Sequence, residues 1–460
     1  MIFTFYPLFP GSDTLFRWRY AWEDRLDFHT DRWTYQAGEQ IHVMISDSKE
    51  DSLELRLLDI LDGDTLFEER SFLGQDQTLP EGASIHGTQW PAAYKIAVQE
   101  DWPSGWKLLQ VKNEDFIRHQ SIFLAPDTSL KAKPIAMLLS TNTWNAYNFW
   151  GGQSLYTRNY TPTVSFLRPQ PLSDPYLEDT YQNHQTYLQC ARLDRYLAQL
   201  MDSLGYVFDA YPVSYLQTHP ELLQRYEVLT ISTHSEYWTR EMIGGLNAYL
   251  DQGGNFLSFA GNIAAYLTEY DPANQILTVH KDAGMSQWKY LDSTGFRPFG
   301  TEYRYLGFQT YAPYEVLVDS SWLLRRTLLQ KGDLFGQQSE VFDYSIFYQG
   351  LWKGLSVLRS RGKKGAASGL EIDKIYAGTP ENFVLVASGL NPSLQGTGQV
   401  YPETDFAWSS RTGADLGYYE HPGGGLVFNA SSMSFTGAIP YDTVIQQMIA
   451  NLLEYCVSKK

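Results

Sequence analysis

EVLTISTHSEYWTREMIGGLNAYLDQGGNFLSFAGN, residues 227–262, contains two apolar runs separated by a helix-like segment. EVLTIST places Val228, Leu229 and Ile231 in a short run of the kind found in buried strands. REMIGGLNAYLDQGG has the pattern of a helix that ends at glycine, and NFLSFAGN is a second strand-like run. A strand–helix–strand unit predicts a parallel sheet with helices on its faces.

The same alternation continues on both sides of this unit. Four further segments belong to it: strand IAMLLST (135–141), helix HQTYLQCARLDRYLAQLMDSLGY (184–206), strand GGGLVFNASSMSF (423–435) and helix YDTVIQQMIANLLEYCV (441–457). The pattern therefore predicts an α/β domain built on a parallel sheet with helices on its faces.

The N-terminal part of the chain has a different pattern of apolar and polar residues. DRWTYQAGEQIHVMIS (31–46) and the short runs after it alternate apolar and polar residues between turn signals, with no clear helix, which is typical of an antiparallel β-sandwich. The polar, proline-bounded segment 125–134 is the best linker. We therefore expect a β-sandwich domain over 1–130 and an α/β domain over 131–460, with an irregular β-rich insertion at about 270–420.

Composition excludes several classes of function. The net charge of -17 argues against nucleic-acid binding, which needs clustered Lys and Arg. The sequence contains no run of about 18 apolar residues, so we expect no membrane-spanning helix. The first residues lack the basic region of a signal peptide. Cys190 and Cys456 have neither disulfide-framework nor zinc spacing, so free thiols in a reducing compartment are expected. These features predict a soluble, cytoplasmic protein.

Polar residues follow each of the central predicted strands. STNTWNAYNFWGG (140–152) follows the first strand, THSEYW (233–238) the second and AGN (260–262) the third. Ligands of open α/β sheets bind beyond the carboxyl ends of the strands. We therefore expect the functional site at this edge.

The residue types at these exits narrow the chemistry. Ser235 lacks the G-x-S-x-G turn of a nucleophilic serine, and no cysteine follows a strand. Acid–base chemistry, a metal site or a non-catalytic site remain open. The carboxylate of Glu236 and the phenol of Tyr147 are hard oxygen donors, a combination that suits ferric iron better than zinc or copper.

A resemblance adds to this interpretation. NTWNAYNFWGGQSLY, THSEYW, GGNFLSFAGN and GGGLVFNASSMSFTGAI occur in the order found in the large subunit of N,N-dimethylformamidase, which the chain resembles over roughly residues 90–455. The resemblance implies a glutamine-amidotransferase-like (flavodoxin-like) α/β domain with a mononuclear iron held by two tyrosines and a glutamate. It also implies hydrolysis of small tertiary formamides to formate and a secondary amine.

The matching positions imply roles for individual residues. Tyr147 of AYNFWGG and Glu236 of HSEYW correspond to metal ligands, and His234 of the same motif would lie beside the metal and support catalysis. Asn262 in FAGN and Glu371 in SGLEIDK correspond to further catalytic residues. Glu371 would activate water, while His234 and Asn262 would donate to the oxyanion or protonate the leaving amine.

One position departs from the family pattern. The second tyrosine ligand is expected on a preceding strand within S-G-x-Y, and the corresponding segment DWPSGWKLLQV has Trp106 and Lys107 there. We therefore predict an altered metal site, in which Lys107 or Trp106 stands where the tyrosine should be.

The leading hypothesis is a hydrolase that cleaves a C–N bond of a small, formamide-type amide with metal-assisted attack by water. The alternatives are altered or metal-free chemistry on another amide or amine, and a non-catalytic subunit that binds a small ligand. A homo-oligomer is expected, with a small partner subunit as in the dimethylformamidases. The aromatic pocket is predicted to contain five residues at the strand exits: Trp144, Asn145, Asn148, Trp150 and Trp238.

Overall fold

The computed structural model describes residues 17, 20–21, 23–156, 161–177, 190–280, 297–304, 310–342, 364–392 and 412–457. Within them the protein is a mixed α/β structure dominated by strands, as the α/β prediction requires at the level of fold class. The sheets include parallel, antiparallel and mixed arrangements.

The N-terminal strands form two sheets. Their bounds are β1 (Leu26–Thr30), β2 (Thr34–Tyr35), β3 (Gln40–Asp47), β4 (Ser52–Asp59), β5 (Thr65–Leu73), β6 (Ala92–Ala97), β7 (Gly105–Lys112) and β8 (Ile117–Leu124). One sheet has the order β1-β3-β6 and the other β2-β8-β7-β4-β5. Side chains from both, such as Val43 of β3 and Leu55 of β4, belong to one apolar core. The alternation along these strands therefore places one face of each sheet against the other.

The remaining strands are shorter and more varied in pairing. They are β9 (Ile135–Leu139), β10 (Thr163–Ser165), β11 (Phe208–Pro212), β12 (Val228–His234), β13 (Tyr237–Trp238), β14 (Asn255–Gly261), β15 (Tyr266–Leu267), β16 (Glu269–Asp271), β17 (Ile276–Thr278), β18 (Glu302–Arg304), β19 (Tyr311–Ala312), β20 (Tyr314–Val316), β21 (Leu334–Phe335), β22 (Ser339–Phe342), β23 (Lys364–Gly365), β24 (Ser368–Gly369), β25 (Ile372–Lys374), β26 (Val384–Gly389), β27 (Asp415–Glu420) and β28 (Leu426–Asn429).

The largest sheet has nine strands in the order β11-β9-β12-β14-β28-β27-β26-β20-β21. The strands from β11 to β28 are parallel to one another, as the strand–helix pattern predicts. From β28 onward the pairing is antiparallel, because a tight turn closed by the His421 N–H and the Gly425 carbonyl joins β27 directly to β28. The sheet is therefore mixed, and a wholly parallel sheet was too simple an expectation.

The described residues also form helices, several of which pack on this sheet. They are α1 (Ala83–His86), α2 (Thr141–Tyr147), α3 (Cys190–Ser203), α4 (Tyr215–Thr218), α5 (Pro220–Leu223), α6 (Arg240–Asp251) and α7 (Thr443–Val457), with 3-10 turns at Pro171–Ser173, Trp322–Leu324 and Thr436–Ala438. Leu193, Leu197 and Met201 of α3 are completely buried, as their spacing predicts. The predicted start of α3 at 184–189 lies outside the described residues. Thr239 caps α6 by accepting from the Met242 N–H at 3.2 Å.

Two smaller observations concern the cysteines and the helices. Cys190 and Cys456 are both buried free thiols, as expected. None of the helices in the described ranges combines the length and the apolar character needed to cross a membrane.

Gly261, the last residue of β14, lies where no side chain fits. A Cβ there would be 2.3 Å from the Glu371 carbonyl oxygen and 2.4 Å from the Met433 amide nitrogen. Because both obstacles are backbone, we expect Gly261→Ala to lower the free energy of unfolding by about 1–3 kcal/mol. Gly244→Ala is the matched control: its Cβ would meet nothing within 4 Å, and the helical position favours alanine. Denaturant unfolding of both variants measures this, and equal stability of the two would contradict it.

Candidate metal and active site

The carboxyl ends of neighbouring parallel strands bring the predicted residues together. β9 leads into α2, which ends at Tyr147; β12 ends at His234, and Glu236 follows it; Asn262 follows β14. Because β9, β12 and β14 are adjacent in the sheet, these side chains meet at one edge. Glu371 reaches the same place from the turn between β24 and β25, where its carbonyl accepts from the Met433 N–H at 3.1 Å.

His234, Glu236 and Glu371 form the centre of the site. All three are buried, and one ligand atom from each lies within 4.8 Å of the others. The His234 Nε2 is 3.3 Å from Glu236 Oε2 and 3.9 Å from Glu371 Oε1, while its Nδ1 lies 3.1 Å from the Gly261 carbonyl. That carbonyl requires the proton on Nδ1, so Nε2 faces the two carboxylates.

Two stacked tyrosines complete the cluster. The Tyr156 hydroxyl donates to Glu236, at 2.8 Å from Oε2 and 3.1 Å from Oε1, and accepts from the Tyr237 hydroxyl at 2.6 Å. The Tyr147 ring stacks on Tyr156 with centroids 4.0 Å apart, and its hydroxyl lies 3.4 Å from His234 Nε2. Burial and then the Glu236 charge raise the pKa of Tyr156 well above its usual value. The phenol is therefore protonated at neutral pH in the metal-free cluster.

Tyr156 is the residue that sequence reasoning missed. It ends the motif NTWNAYNFWGGQSLY, but no periodicity distinguishes it from other tyrosines of an aromatic-rich chain. The available signal was its presence in the same family-specific string as Tyr147.

Asn262 connects the two carboxylates. Its Nδ2 donates to Glu236 Oε1 at 3.1 Å and to Glu371 Oε2. Both amide hydrogens are used in this arrangement, and within the described residues the Oδ1 atom is buried with no hydrogen-bond partner. Asn262 is therefore a bridge between the carboxylates, with its oxygen left as an acceptor.

Three residues that are in the site or directly precede a site residue have left-handed backbone conformations. Thr233, Asn262 and Leu370 have φ values of 58°, 52° and 67°, a region that is sparsely populated for residues with a Cβ, above all for a β-branched threonine. Thr233 precedes His234, and Leu370 precedes Glu371. The site residues are thus turned into place at a conformational cost that the surrounding structure must offset.

Two buried aspartates hold this backbone. Asp194 of α3 accepts from the Thr233 hydroxyl at 2.7 Å, and Asp373 accepts from the Asn262 N–H at 3.0 Å. Burial raises the pKa of both carboxyls to about 7. Their hydrogen bonds explain how non-glycine residues keep these conformations.

Lys107 and Trp106 lie in the N-terminal strand β7. The Lys107 Nζ forms an ion pair with Asp59 Oδ2 at 2.6 Å across β4 and β7, and burial lowers its pKa. Trp106 faces the opposite side of the strand and is buried in the core that also contains Phe123. The structure therefore gives Lys107 an anionic partner of its own and does not pair it with Glu236.

The predicted pocket residues are held mainly by protein contacts. Trp144 packs on Trp33 with centroids 6.0 Å apart, and Trp150 packs edge-on against Trp90 at 5.7 Å. Trp238 donates from Nε1 to the Ser235 carbonyl at 3.0 Å.

Asn145 and Asn148 bond to a neighbouring segment. The Asn145 Oδ1 accepts from Arg168 at 3.1 Å and from Gln170 at 3.2 Å. The Asn148 Nδ2 donates to the Pro169 carbonyl at 2.8 Å and to Gln170 Oε1 at 3.1 Å. These amides support the loop that carries the tyrosines.

The ionisation of His234 predicts a pH dependence of stability. Burial lowers its pKa, but the charges of Glu371 and Glu236 together outweigh burial and raise the pKa to about 9. A folded pKa above the unfolded value of about 6.5 stabilises the fold fully below pH 6.5, and this stabilisation is lost as the pH rises through 9. In chelator-treated protein, the parent should therefore lose on the order of 3 kcal/mol over this range relative to His234→Gln. The free energy of unfolding, measured with urea at pH 6.5, 8 and 9.5, tests this prediction. If it changed with pH by the same amount in the parent and in His234→Gln, the prediction would be wrong.

Comparisons with known proteins identify the family of the chain. A family model described as N,N-dimethylformamidase beta subunit-like, C-terminal, matches residues 68–447. The N,N-dimethylformamidase beta subunit of Alcaligenes sp is 23% identical over 435 residues, covering 79% of this chain and 54% of that protein. The N,N-dimethylformamidase beta subunit of Paracoccus aminophilus is 27% identical over 267 residues, covering 51% of this chain and 32% of that protein.

The chain spans about half the length of the first of these relatives and less of the second. Among solved structures, a beta-glucuronidase of Faecalibacterium prausnitzii covers 52% of this chain and 29% of its own, with 8% identity and a TM-score of 0.18, too low for any argument about fold. The family model matches most of the chain and includes every residue of the cluster. The protein belongs to the N,N-dimethylformamidase beta subunit-like, C-terminal family.

Proposed function

We propose that the protein is a metal-dependent hydrolase that cleaves the C–N bond of a small amide of the formamide type. The observation that carries this proposal is the buried cluster of His234, Glu236 and Glu371, in which a tyrosine hydroxyl is bonded to Glu236. Family membership supports amide hydrolysis in general. The names of the curated relatives supply the formamide class.

The donor set fits a hard cation. Glu236 and Tyr156 would hold the metal, with Tyr147 as the second phenol, because the Tyr156 hydroxyl bonds Glu236 and the Tyr147 hydroxyl lies 3.4 Å from His234 Nε2 in the same cluster. Two phenols with a carboxylate favour ferric iron. Tyr156 would then be the second tyrosine ligand, which the family pattern predicts in the segment that contains Lys107. When bound, such an ion polarises a carbonyl and lowers the pKa of water.

Glu371 and His234 would carry the protons. Glu371 accepts a proton from the attacking water as the water oxygen bonds to the amide carbon. His234 would donate a proton from Nε2 to the amide nitrogen as the C–N bond breaks, and the Glu371 carboxylate, 3.9 Å from Nε2, favours its protonated form. Formate and the amine leave, and the proton on Glu371 returns to His234, 3.9 Å away. Asn262 keeps Glu371 and Glu236 together through these steps.

The finer architecture is part of the same proposal. We take 1–130 as a β-sandwich and 131–460 as a glutamine-amidotransferase-like domain with an inserted region at 270–420; the separate apolar core of the N-terminal sheets supports the first boundary. Because the relatives are named as beta subunits, we propose a homo-oligomer that associates with a partner subunit. The buried free thiols favour a cytoplasmic location.

Metal analysis combined with an amidase assay tests the proposal. Purified protein should contain about one iron per chain, absorb visible light through tyrosinate-to-metal charge transfer, and release formate from N,N-dimethylformamide. Chelation should abolish the colour and the turnover together. Turnover by colourless, metal-free protein would indicate metal-free chemistry, and saturable amide binding without turnover would indicate a binding subunit.

Tyr156→Phe tests the assignment of the second phenol. Removing the hydroxyl that bonds Glu236 should weaken metal binding by about tenfold to a hundredfold and shift the visible band. Tyr211→Phe is the control, since Tyr211, like Tyr156, bonds another tyrosine hydroxyl, in this case that of Tyr226. Equal metal affinity in both variants would remove Tyr156 from the site.

A further inference from the structure

Arg168 is a completely buried arginine whose bonds all go to neutral acceptors. Its Nε donates to the Ser165 carbonyl at 3.0 Å, and its Nη1 to the carbonyls of Trp150 at 2.7 Å and Gln153 at 3.0 Å. Its Nη2 donates to the carbonyl and to Oδ1 of Asn145, both at 3.1 Å. Among the residues that the structure describes, no carboxylate pairs with it, and burial lowers its pKa to about 9.

A buried cation without a counter-ion is costly, so its retention needs a reason. The planar guanidinium presents donors in a fixed fork. Here the fork holds three points of one segment, Asn145, Trp150 and Gln153, to the backbone that follows β10. No single lysine ammonium can reach all of these acceptors in the same geometry.

The segment held in this way connects the two stacked phenols. Tyr147 ends α2, and the chain turns back so that the Leu155 N–H donates to the Ala146 carbonyl at 3.0 Å. Between them the Gly152 N–H donates to the Phe149 carbonyl at 3.0 Å. The result is that Tyr156 stacks on Tyr147 at 4.0 Å and reaches Glu236.

The turn itself has little regular structure to define it. Residues 148–156 contain no helix or strand, so the return of the chain depends on specific bonds. Arg168 donates two bonds to this turn, to the carbonyls of Trp150 and Gln153, and two more to Asn145 just before it. Asn148 adds two bonds from the turn to the same neighbouring segment, to the Pro169 carbonyl and to Gln170 Oε1.

We propose that Arg168 is a positioning residue that sets the spacing of Tyr147 and Tyr156 and thereby the metal affinity of the site. This inference rests on the proposed function, because it takes the two phenols as ligands. Arg168 itself touches neither the carboxylates nor the phenols through any bond that the structure describes.

Arg168→Lys tests the inference with two readouts. Chelator-treated protein is titrated with Co²⁺, followed by its visible absorption, and hydrogen exchange is measured at the Gly152 and Leu155 amides. We expect Co²⁺ affinity to fall at least about tenfold, with faster exchange at both amides. Unchanged Co²⁺ affinity in the variant would overturn the inference, even if the protein became less stable.

The control is Arg297→Lys, a buried arginine whose described partner is Glu302. It should lose stability but keep the Co²⁺ affinity of the parent. If Arg168→Lys does not fold, Asn145→Ala removes one acceptor from the same fork and should give the same two effects, and unchanged affinity there would be equally decisive.

The exchange readout separates this inference from the proposed function. If the parent binds no Co²⁺, the metal proposal fails. The role of Arg168 is then tested only by the rate of hydrogen exchange at the Gly152 and Leu155 amides. Slow exchange at Gly152 and Leu155 in Arg168→Lys would show that the guanidinium does not hold the segment.

Discussion

Glu236→Gln should bind no metal and should hydrolyse amides at least about 10³-fold more slowly than the parent. In the proposed mechanism a metal supplies several kcal/mol of transition-state stabilisation, and each 1.36 kcal/mol is a factor of ten. Glutamine removes the anion and adds an NH₂ group where Tyr156 and Asn262 both donate. When the new NH₂ group faces these two donors, buried hydrogen-bond donors are left without acceptors. The cluster is therefore expected to lose its arrangement of side chains as well as its negative charge.

Metal content by mass spectrometry and formate release at saturating N,N-dimethylformamide measure this result. Glu302→Gln is the matched control, since Glu302 is also buried but pairs with Arg297. It should cost stability without loss of metal. If Glu236→Gln retained full hydrolysis, the metal-assisted mechanism would be wrong even for a protein that contains iron.

Glu371→Gln should lose turnover but keep the metal, whereas Glu236→Gln should lose both. A general base contributes about 10²- to 10⁴-fold, and glutamine cannot accept the proton of water at neutral pH. Its amide oxygen can still accept from the Asn262 Nδ2, so the bridge to Glu236 is preserved. The loss should therefore appear in kcat, with little change in metal content.

Metal analysis on the same preparation distinguishes the two roles that Glu371 could have. Loss of metal together with turnover would make Glu371 a ligand, because its carboxylate lies within reach of the same ion as Glu236. Retained metal with normal kcat would remove it from the chemistry altogether.

Local pattern predicted the elements that place the site. The apolar runs at β9, β12 and β14 and the amphipathic spacing of α3 identified the parallel strands, and the polar residues at their ends identified the edge. His234 and Glu236 could be named on those grounds, since they follow directly from the end of β12.

Other parts depend on contacts that local pattern does not contain. Tyr156 reaches Glu236 because the chain turns back between Ala146 and Leu155, and Glu371 is 109 residues from the Asn262 amide that holds it. The motif predicts Lys107 or Trp106 at the position of the second tyrosine ligand. The ion pair of Lys107 with Asp59 depends on the register of β4 and β7, which the motif does not contain. The antiparallel strands β20 and β21 are too short for periodicity to predict.

The left-handed residues at the ends of the strands have a consequence for how the protein matures. Thr233 and Asn262 are held by Asp194 and Asp373, and Asp373 lies far along the chain from both. During synthesis, the first parallel strands are available before the residues that complete the cluster have left the ribosome. A partly synthesised chain therefore has no assembled site, and loading of the proposed metal would follow completion of the fold, with closure of the longest loop as its slow step.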